Sequence, residues 1–182
     1  KIQGYDETIM TYILAAASPN FPINKTVYQQ GWARNGSIKT SASQYGIPLI
    51  VNHNGASCTV GPMFFSHYSF LGLDPRGLTD EYVNYGDATI NHAKIMHQYA
   101  IKNPKNWGLT ASYSRNSDGT TGYSAHQPTN DLGVISPTAA ISNMPYTAAE
   151  SMDYLRFLYN DNYSKYIGVA GPYDAYSVHY NW

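Results

Sequence analysis

The sequence predicts an all-α fold with long polar loops, and three observations carry that expectation. Apolar residues recur at helical spacing in several separate stretches. The segments between them are rich in Gly, Ser, Asn and Pro. Only Ile47 to Val51 reads as a short extended run. At 182 residues the chain is long enough for one domain, which at this size buries roughly 70% of its unfolded surface.

Taken in order, Tyr5 to Ala17 places Ile9, Tyr12, Ile13 and Ala16 on one face, with Asp6 and Glu7 in the expected first turn. Ser18-Pro19 and Phe21-Pro22 end that helix. A short helix is expected between Asn24 and Asn35, closed by Asn35-Gly36. From Ser37 to Pro62 the chain is polar and punctuated by glycine and proline, as a functional surface loop would be. Pro62 to Leu71 is aromatic enough for a buried helix. Asn84 to Ile101 reads as a long helix with Asn84 as cap and Ile90, Ala93, Met96, His97 and Ala100 as its apolar stripe. A broad loop is expected from Asn103 to Ser136. Thr147 to Glu150 forms a capping-box pattern opening a helix to about Tyr159, with Met152, Leu155, Phe157, Leu158 and Tyr159 as its apolar face.

Composition narrows the function. Lys and Arg number 11 against 12 Asp and Glu, a net charge of −1. That excludes the basic footprint of a nucleic-acid binder and offers no polybasic membrane anchor. The longest apolar stretch, Tyr12 to Ala17, is too short for membrane insertion. Only 13% of residues are charged, whereas 18 are tyrosines. Such a surplus of uncharged hydrogen-bonding groups suits a neutral, hydroxyl-rich ligand. Cys58 is the sole cysteine, so there is no intrachain disulfide and no cysteine metal site. The six histidines include no His-Glu-x-x-His, and no metal or other cofactor is expected. Gly-x-Ser-x-Gly and a phosphate-cradling glycine loop are also absent.

What remains is carboxylates among aromatic residues. Glycoside hydrolysis needs two acidic groups, one as acid and one as base or nucleophile, with aromatic faces to hold the sugars. Glu7 follows Gly4-Tyr5-Asp6, and Asp174 lies in Pro-Tyr-Asp-Ala-Tyr. Each has a plainer reading: Glu7 as a first-turn acid opposite the helix dipole, Asp174 as a turn or cap residue. Asp74 and Asp131 read as turn formers. Trp107, Tyr123 and His126 read equally as local packing.

Six blocks lie in one order along the chain: GYDETIMTYILAAASPNFPI, GPMFFSHYSFLGLDPRG, NWGLTASYS, GYSAHQP, ISPTAAISNMPYTAAESM and YDAYSVHYNW. Together they resemble the glycoamylase-like glycoside hydrolases, which include bacterial endo-β-1,2-glucanases. The resemblance runs from Gly4 to Trp182. It implies part of an (α/α)6 barrel, a toroid of paired helices more than twice this length. Residues 1–182 would then form a single partial domain lacking N-terminal helices and a C-terminal segment. The remainder of the polypeptide, or a second chain, would complete the barrel.

The resemblance also implies roles. Glu7 matches the family's general acid, and Asp174 the late aspartate that activates water. Inverting endo-hydrolysis of β-1,2-glucan follows, with carboxyl groups expected roughly 6.5–9.5 Å apart. His67, Tyr68, Trp107, Thr110, Tyr123 and His126 match positions facing the sugar cleft. Tyr113 departs from the pattern: it follows Ser112 where the family has an aspartate, which trades a carboxylate for a stacking ring. A non-catalytic carbohydrate-binding protein using the same cleft is the alternative. The expected partner is an oligo- or polysaccharide, and export to the periplasm or outside the cell is the expectation by analogy with the family.

Overall fold

The computed structural model describes residues 2–103, 107–116 and 118–182. These form two compact units, divided between His92 and Ala93 within the longest helix. The first unit carries α1 (Ile9–Ala16), α2 (Lys25–Gln30), the two-stranded β1 (Ser43–Gln44) and β2 (Ile47–Pro48), and α3 (Phe64–Ser69). It also holds the start of α4 (Tyr85–Lys102). Asn24 caps α2 by accepting from the Thr26 amide at 2.9 Å. Asn84 does the same for α4 through Asp87 at 3.1 Å. The Asn84 cap is the one the sequence predicts, because a short polar side chain satisfies an amide that the helix leaves unpaired.

The core of this unit gathers around Trp32, which is fully buried with Tyr5, Ile9, Tyr12, Ile38, Phe65 and Phe70. The Trp32 indole N–H donates to the Tyr85 hydroxyl at 2.8 Å, and Tyr85 donates to Asp80 at 2.9 Å. Asp80 also accepts from the amides of Tyr82 and Val83. Gly4 passes so close to Trp32 that a Cβ there would lie 2.7 Å from the indole ring. Only glycine lets the backbone approach this far.

The second unit begins with the last turns of α4. It continues through β3 (Ala111–Arg115), β4 (Thr121–Ala125), β5 (Val134–Ile135), α5 (Pro137–Ile141) and α6 (Ala148–Arg156). A wider π turn follows at Phe157–Asp161, then α7 (Tyr163–Tyr166), β6 (Ile167–Gly168), β7 (Gly171–Pro172) and β8 (Tyr176–Ser177). β3 and β4 form an antiparallel hairpin from Ala111↔Ala125 to Arg115↔Thr121. β5 pairs with β8, and β6 with β7. α5 and α6 are fastened by Ser151 Oγ donating to the Ala140 carbonyl at 2.9 Å.

These strands overturn the all-α expectation, and with it the reading of this chain as a section of an (α/α)6 toroid of paired helices. Seven α-helices and eight strands occur among the described residues, the strands paired into four small sheets. The β3–β4 hairpin occupies the middle of the expected Asn103–Ser136 loop, of which residues 104–106 and 117 lie outside the described residues. Its inward residues are Ser112 and Ser114 while Tyr113 and Arg115 face outward, so the usual apolar-in alternation is inverted and invisible to a hydrophobicity pattern. Most other strands are two residues long, too short for any period.

Four smaller expectations also change, the first being that α2 ends at Gln30, before the Asn35-Gly36 expected to close it. α1 starts at Ile9, so Asp6 and Glu7 precede the helix rather than sit in its first turn. Thr147 makes no side-chain cap to α6 and instead reaches back to the Asn143 carbonyl. The buried face of α6 is Ser151, Tyr154 and then Leu158, whereas Met152 and Tyr159 are exposed. A polar serine on the inner face conceals that stripe.

Two buried histidines give the first unit a pH signature. Burial holds His92 down to about 3, and burial together with the neighbouring His92 keeps His53 well below the usual 6.5. Below pH ~6.5 the unfolded chain takes up protons that the folded chain refuses. Stability is therefore complete above that pH and falls as pH drops toward 3, by at most about 1.4 kcal/mol per unit for each histidine. Urea unfolding of the full-length protein between pH 7 and 4 is expected to show this fall. His92→Asn, lacking one titrating ring, is expected to flatten it.

Candidate active site

Glu7 belongs to a loop held by its neighbours. The Gly4 amide donates to the Trp32 carbonyl at 3.1 Å, and Tyr5 exchanges backbone bonds with Asn52 and Asn54 at 3.2 and 2.9 Å. The Asp6 carboxylate accepts from the Thr8 amide at 2.9 Å and from Asn54 Nδ2 at 3.0 Å. Asn54 also donates to the Gln3 carbonyl at 2.6 Å. Asp6 thus serves as the local fastener. Glu7 itself is half-buried, and among the described residues no hydrogen bond or ion pair occupies its carboxylate.

α3 is tied to the same loop. Ser66 Oγ meets the Tyr5 hydroxyl at 2.8 Å, and Ser69 Oγ donates to the Asp6 carbonyl at 2.7 Å. These serines flank His67 and Tyr68, so the segment carrying both sits against the one carrying Glu7. Tyr68 is exposed, its ring 5.9 Å from that of Phe64.

In the second unit Asp174 lines an open cleft of about 540 Å³. Tyr113, Lys165, Tyr166, Tyr173, Tyr176, Asn181 and Trp182 share it. Its floor is a stack of Tyr166 on Tyr176, with ring centres 4.0 Å apart. The Tyr176 hydroxyl pairs with that of Tyr154 at 3.0 Å, and burial pushes the Tyr176 phenol up to about 12. Lys165 lies 5.0 Å above the Tyr166 ring, in cation–π contact. Tyr113 projects from β3 with 65% of its surface exposed, and its edge meets Tyr123 at 5.3 Å.

The remaining sequence-predicted positions are more enclosed. Thr110 and His126 are buried at the base of the β3–β4 hairpin, joined by the His126 amide donating to the Thr110 carbonyl at 3.1 Å. Burial lowers the His126 imidazole below its usual range. Trp107 is buried edge-on to His97, 5.3 Å away, and lines a separate 210 Å³ hollow with Glu150 and Tyr154. The cleft therefore brings together Asp174 and Tyr113, with Tyr123 beside them. Sequence reasoning missed Lys165, Tyr166, Asn181 and Trp182. The density of tyrosines around Asp174 was the available signal. Among the described residues no three His, Cys, Asp or Glu side chains gather as a metal ion would require.

The Glycoamylase family model, described as "Putative glucoamylase", matches residues 1–182. The chain belongs to the Glycoamylase family. Among its Glycoamylase-type relatives, an endo-β-1,2-glucanase from Chitinophaga pinensis, solved with sophorotriose and glucose, is 48% identical with a TM-score of 0.89. A β-1,2-glucanase structure from Parabacteroides distasonis is 34% identical with a TM-score of 0.82. An exo-β-1,2-glucooligosaccharide sophorohydrolase (non-reducing end) from Parabacteroides distasonis is 35% identical over 209 residues. All of this chain is covered in each comparison, but it spans only 44%, 29% and 28% of those proteins respectively.

The cleft floor yields a direct test. Tyr176→Phe leaves the buried Tyr154 hydroxyl without its partner and is expected to cost about 1–3 kcal/mol of stability. Tyr176→Ala also removes the stacked ring and is expected to cost about 3–5 kcal/mol. Denaturant unfolding of the full-length protein measures both.

Proposed function

We propose that this chain contributes to an endo-acting glycoside hydrolase that cleaves β-1,2-linked glucan with inversion. The observation that carries this reading is the family match across every residue, joined to relatives named for β-1,2-glucan hydrolysis. The cleft chemistry supports it. A neutral polysaccharide offers hydroxyls and apolar ring faces, which exposed tyrosines, Trp182 and Asn181 can meet without charge.

In this reading Glu7 protonates the glycosidic oxygen as the bond to the anomeric carbon breaks. Asp174 accepts a proton from the water that attacks that carbon from the opposite face. The unoccupied carboxylate of Glu7 suits a group that must meet substrate. Tyr113 and Tyr123 supply stacking, while His67 and Tyr68 contact hydroxyls beside Glu7. Trp107, Thr110 and His126 complete the substrate-binding set in this reading, Thr110 and His126 from the base of the hairpin that carries the stacking pair.

Tyr113 also supports a second reading, glucan binding without hydrolysis, because it stands where the family pattern has a carboxylate. Reducing-end release from β-1,2-glucan by the full-length protein separates the two. In the hydrolase reading, Glu7→Gln and Asp174→Asn each lower kcat by roughly a thousandfold or more while folding is unchanged. Full activity in both variants overturns the assignment. Glucan affinity without any product from the wild-type protein selects binding. The anomeric form of the first product, read by NMR, tests inversion.

A further inference from the structure

The interior of the first unit contains a hydrogen-bond chain that no step above uses. His92 Nε2 lies 2.8 Å from the Gly61 carbonyl, and His92 Nδ1 lies 2.8 Å from Ser66 Oγ. A carbonyl can only accept, so Nε2 carries the proton and the neutral ring's Nδ1 must accept. Ser66 therefore donates to His92, which leaves its oxygen to accept from the Tyr5 hydroxyl at 2.8 Å. The Gly61 amide donates to His53 Nδ1 at 3.0 Å, and the His53 ring packs 4.9 Å from Tyr5 and 4.6 Å from His92. Tyr5, Ser66, His92 and His53 are all buried. Burial keeps both imidazoles neutral, so the donor directions do not reverse.

The chain ends two residues before Glu7. Tyr5 is held at its hydroxyl by this chain and at its backbone by Asn52 and Asn54, and the following residue is clamped by Ser69 and Asn54. We propose that Tyr5, Ser66 and His92 are positioning residues that set the Glu7 carboxyl for proton donation to the leaving oxygen. They touch no substrate and act through the loop. The inference rests on the reading of Glu7 as the proton donor. Small displacements of a catalytic group are costly, about a hundredfold for roughly 1 Å, so a rigid anchor this close in sequence has kinetic weight.

Leaving-group dependence distinguishes positioning from general support of the fold. Dinitrophenolate leaves a dinitrophenyl β-sophoroside without help from an acid, whereas the sugar oxygen of a glucan linkage needs protonation. Tyr5→Phe and Ser66→Ala in the full-length protein are expected to lower kcat on β-1,2-glucan by about tenfold or more with KM nearly constant. On the dinitrophenyl substrate the same variants are expected to stay within about twofold of wild type, which also reports that they are folded. His92→Asn, which keeps an acceptor near Ser66, is expected to fall between them and wild type on glucan. Equal losses on both substrates overturn the proposal, and so does unchanged glucan turnover in Tyr5→Phe and Ser66→Ala. Glu7→Gln is the separate control: if it hydrolyses glucan normally, the proton-donor reading itself fails.

Discussion

Burying polar rings without charge is the constraint on which this structure depends. A chain with 18 tyrosines and few ionisable groups cannot fill its interior with aliphatic side chains alone. It buries phenols, an indole and imidazoles, and each such group costs roughly 1–3 kcal/mol if left unpaired. The first unit meets much of that demand by pairing Trp32 with Tyr85, and Tyr85 with Asp80, although His53 Nε2 has no hydrogen-bond partner among the described residues. It pairs Tyr5 with Ser66 and His92 in the same way. The second unit joins Tyr154 to Tyr176 and stacks Tyr166 upon it. Hydrogen bonds between rings have narrow geometry, so this kind of core fixes positions more sharply than an oily one.

The candidate site inherits that rigidity. Glu7 leaves the core at the point where its preceding residues are most heavily bonded, yet its own carboxylate is uncommitted. Asp174 stands beside a floor of stacked tyrosines whose outer neighbours, Tyr113, Tyr173 and Trp182, open toward solvent. In both units a polar aromatic framework is committed to structure, and beside it stands the carboxylate that the proposed hydrolysis would use. Asp6 and Asp80 show the contrast: they neighbour similar rings but each has one oxygen committed to backbone amides and the other to side chains.

Several helix positions were legible from local signals, although the acidic pair before α1 and the capping pattern at Thr147 misled. Asn24 and Asn84 marked their helix starts, and of the expected stripe Ala93, Met96 and Ala100 are buried while Ile90 and His97 are only half-buried. The β3–β4 hairpin was not legible, because its buried positions are serines and its exposed ones tyrosine and arginine. The face of α6 was misread for the same reason at Ser151. In the site, Asp174 and Tyr113 share one cleft, and Tyr68 lies beside the Glu7 loop. Trp107 instead packs against His97 in a separate hollow. An aromatic residue in a glycine-rich segment gives no sign of which side it will face.

The sequence by itself determined the family, through six ordered blocks, while its low charge and abundant tyrosine suit the neutral glucan of the proposed function. It also determined the starts of α2, α4 and α6, where the signal lies within a few residues. Only the tertiary structure decided which polar residues are structural and which remain available. That distinction depends on partners far apart in the chain, such as Tyr5 with Ser66 and His92, or Tyr154 with Tyr176. Burial and pairing are properties of the folded neighbourhood, and neither is written at the position that experiences them.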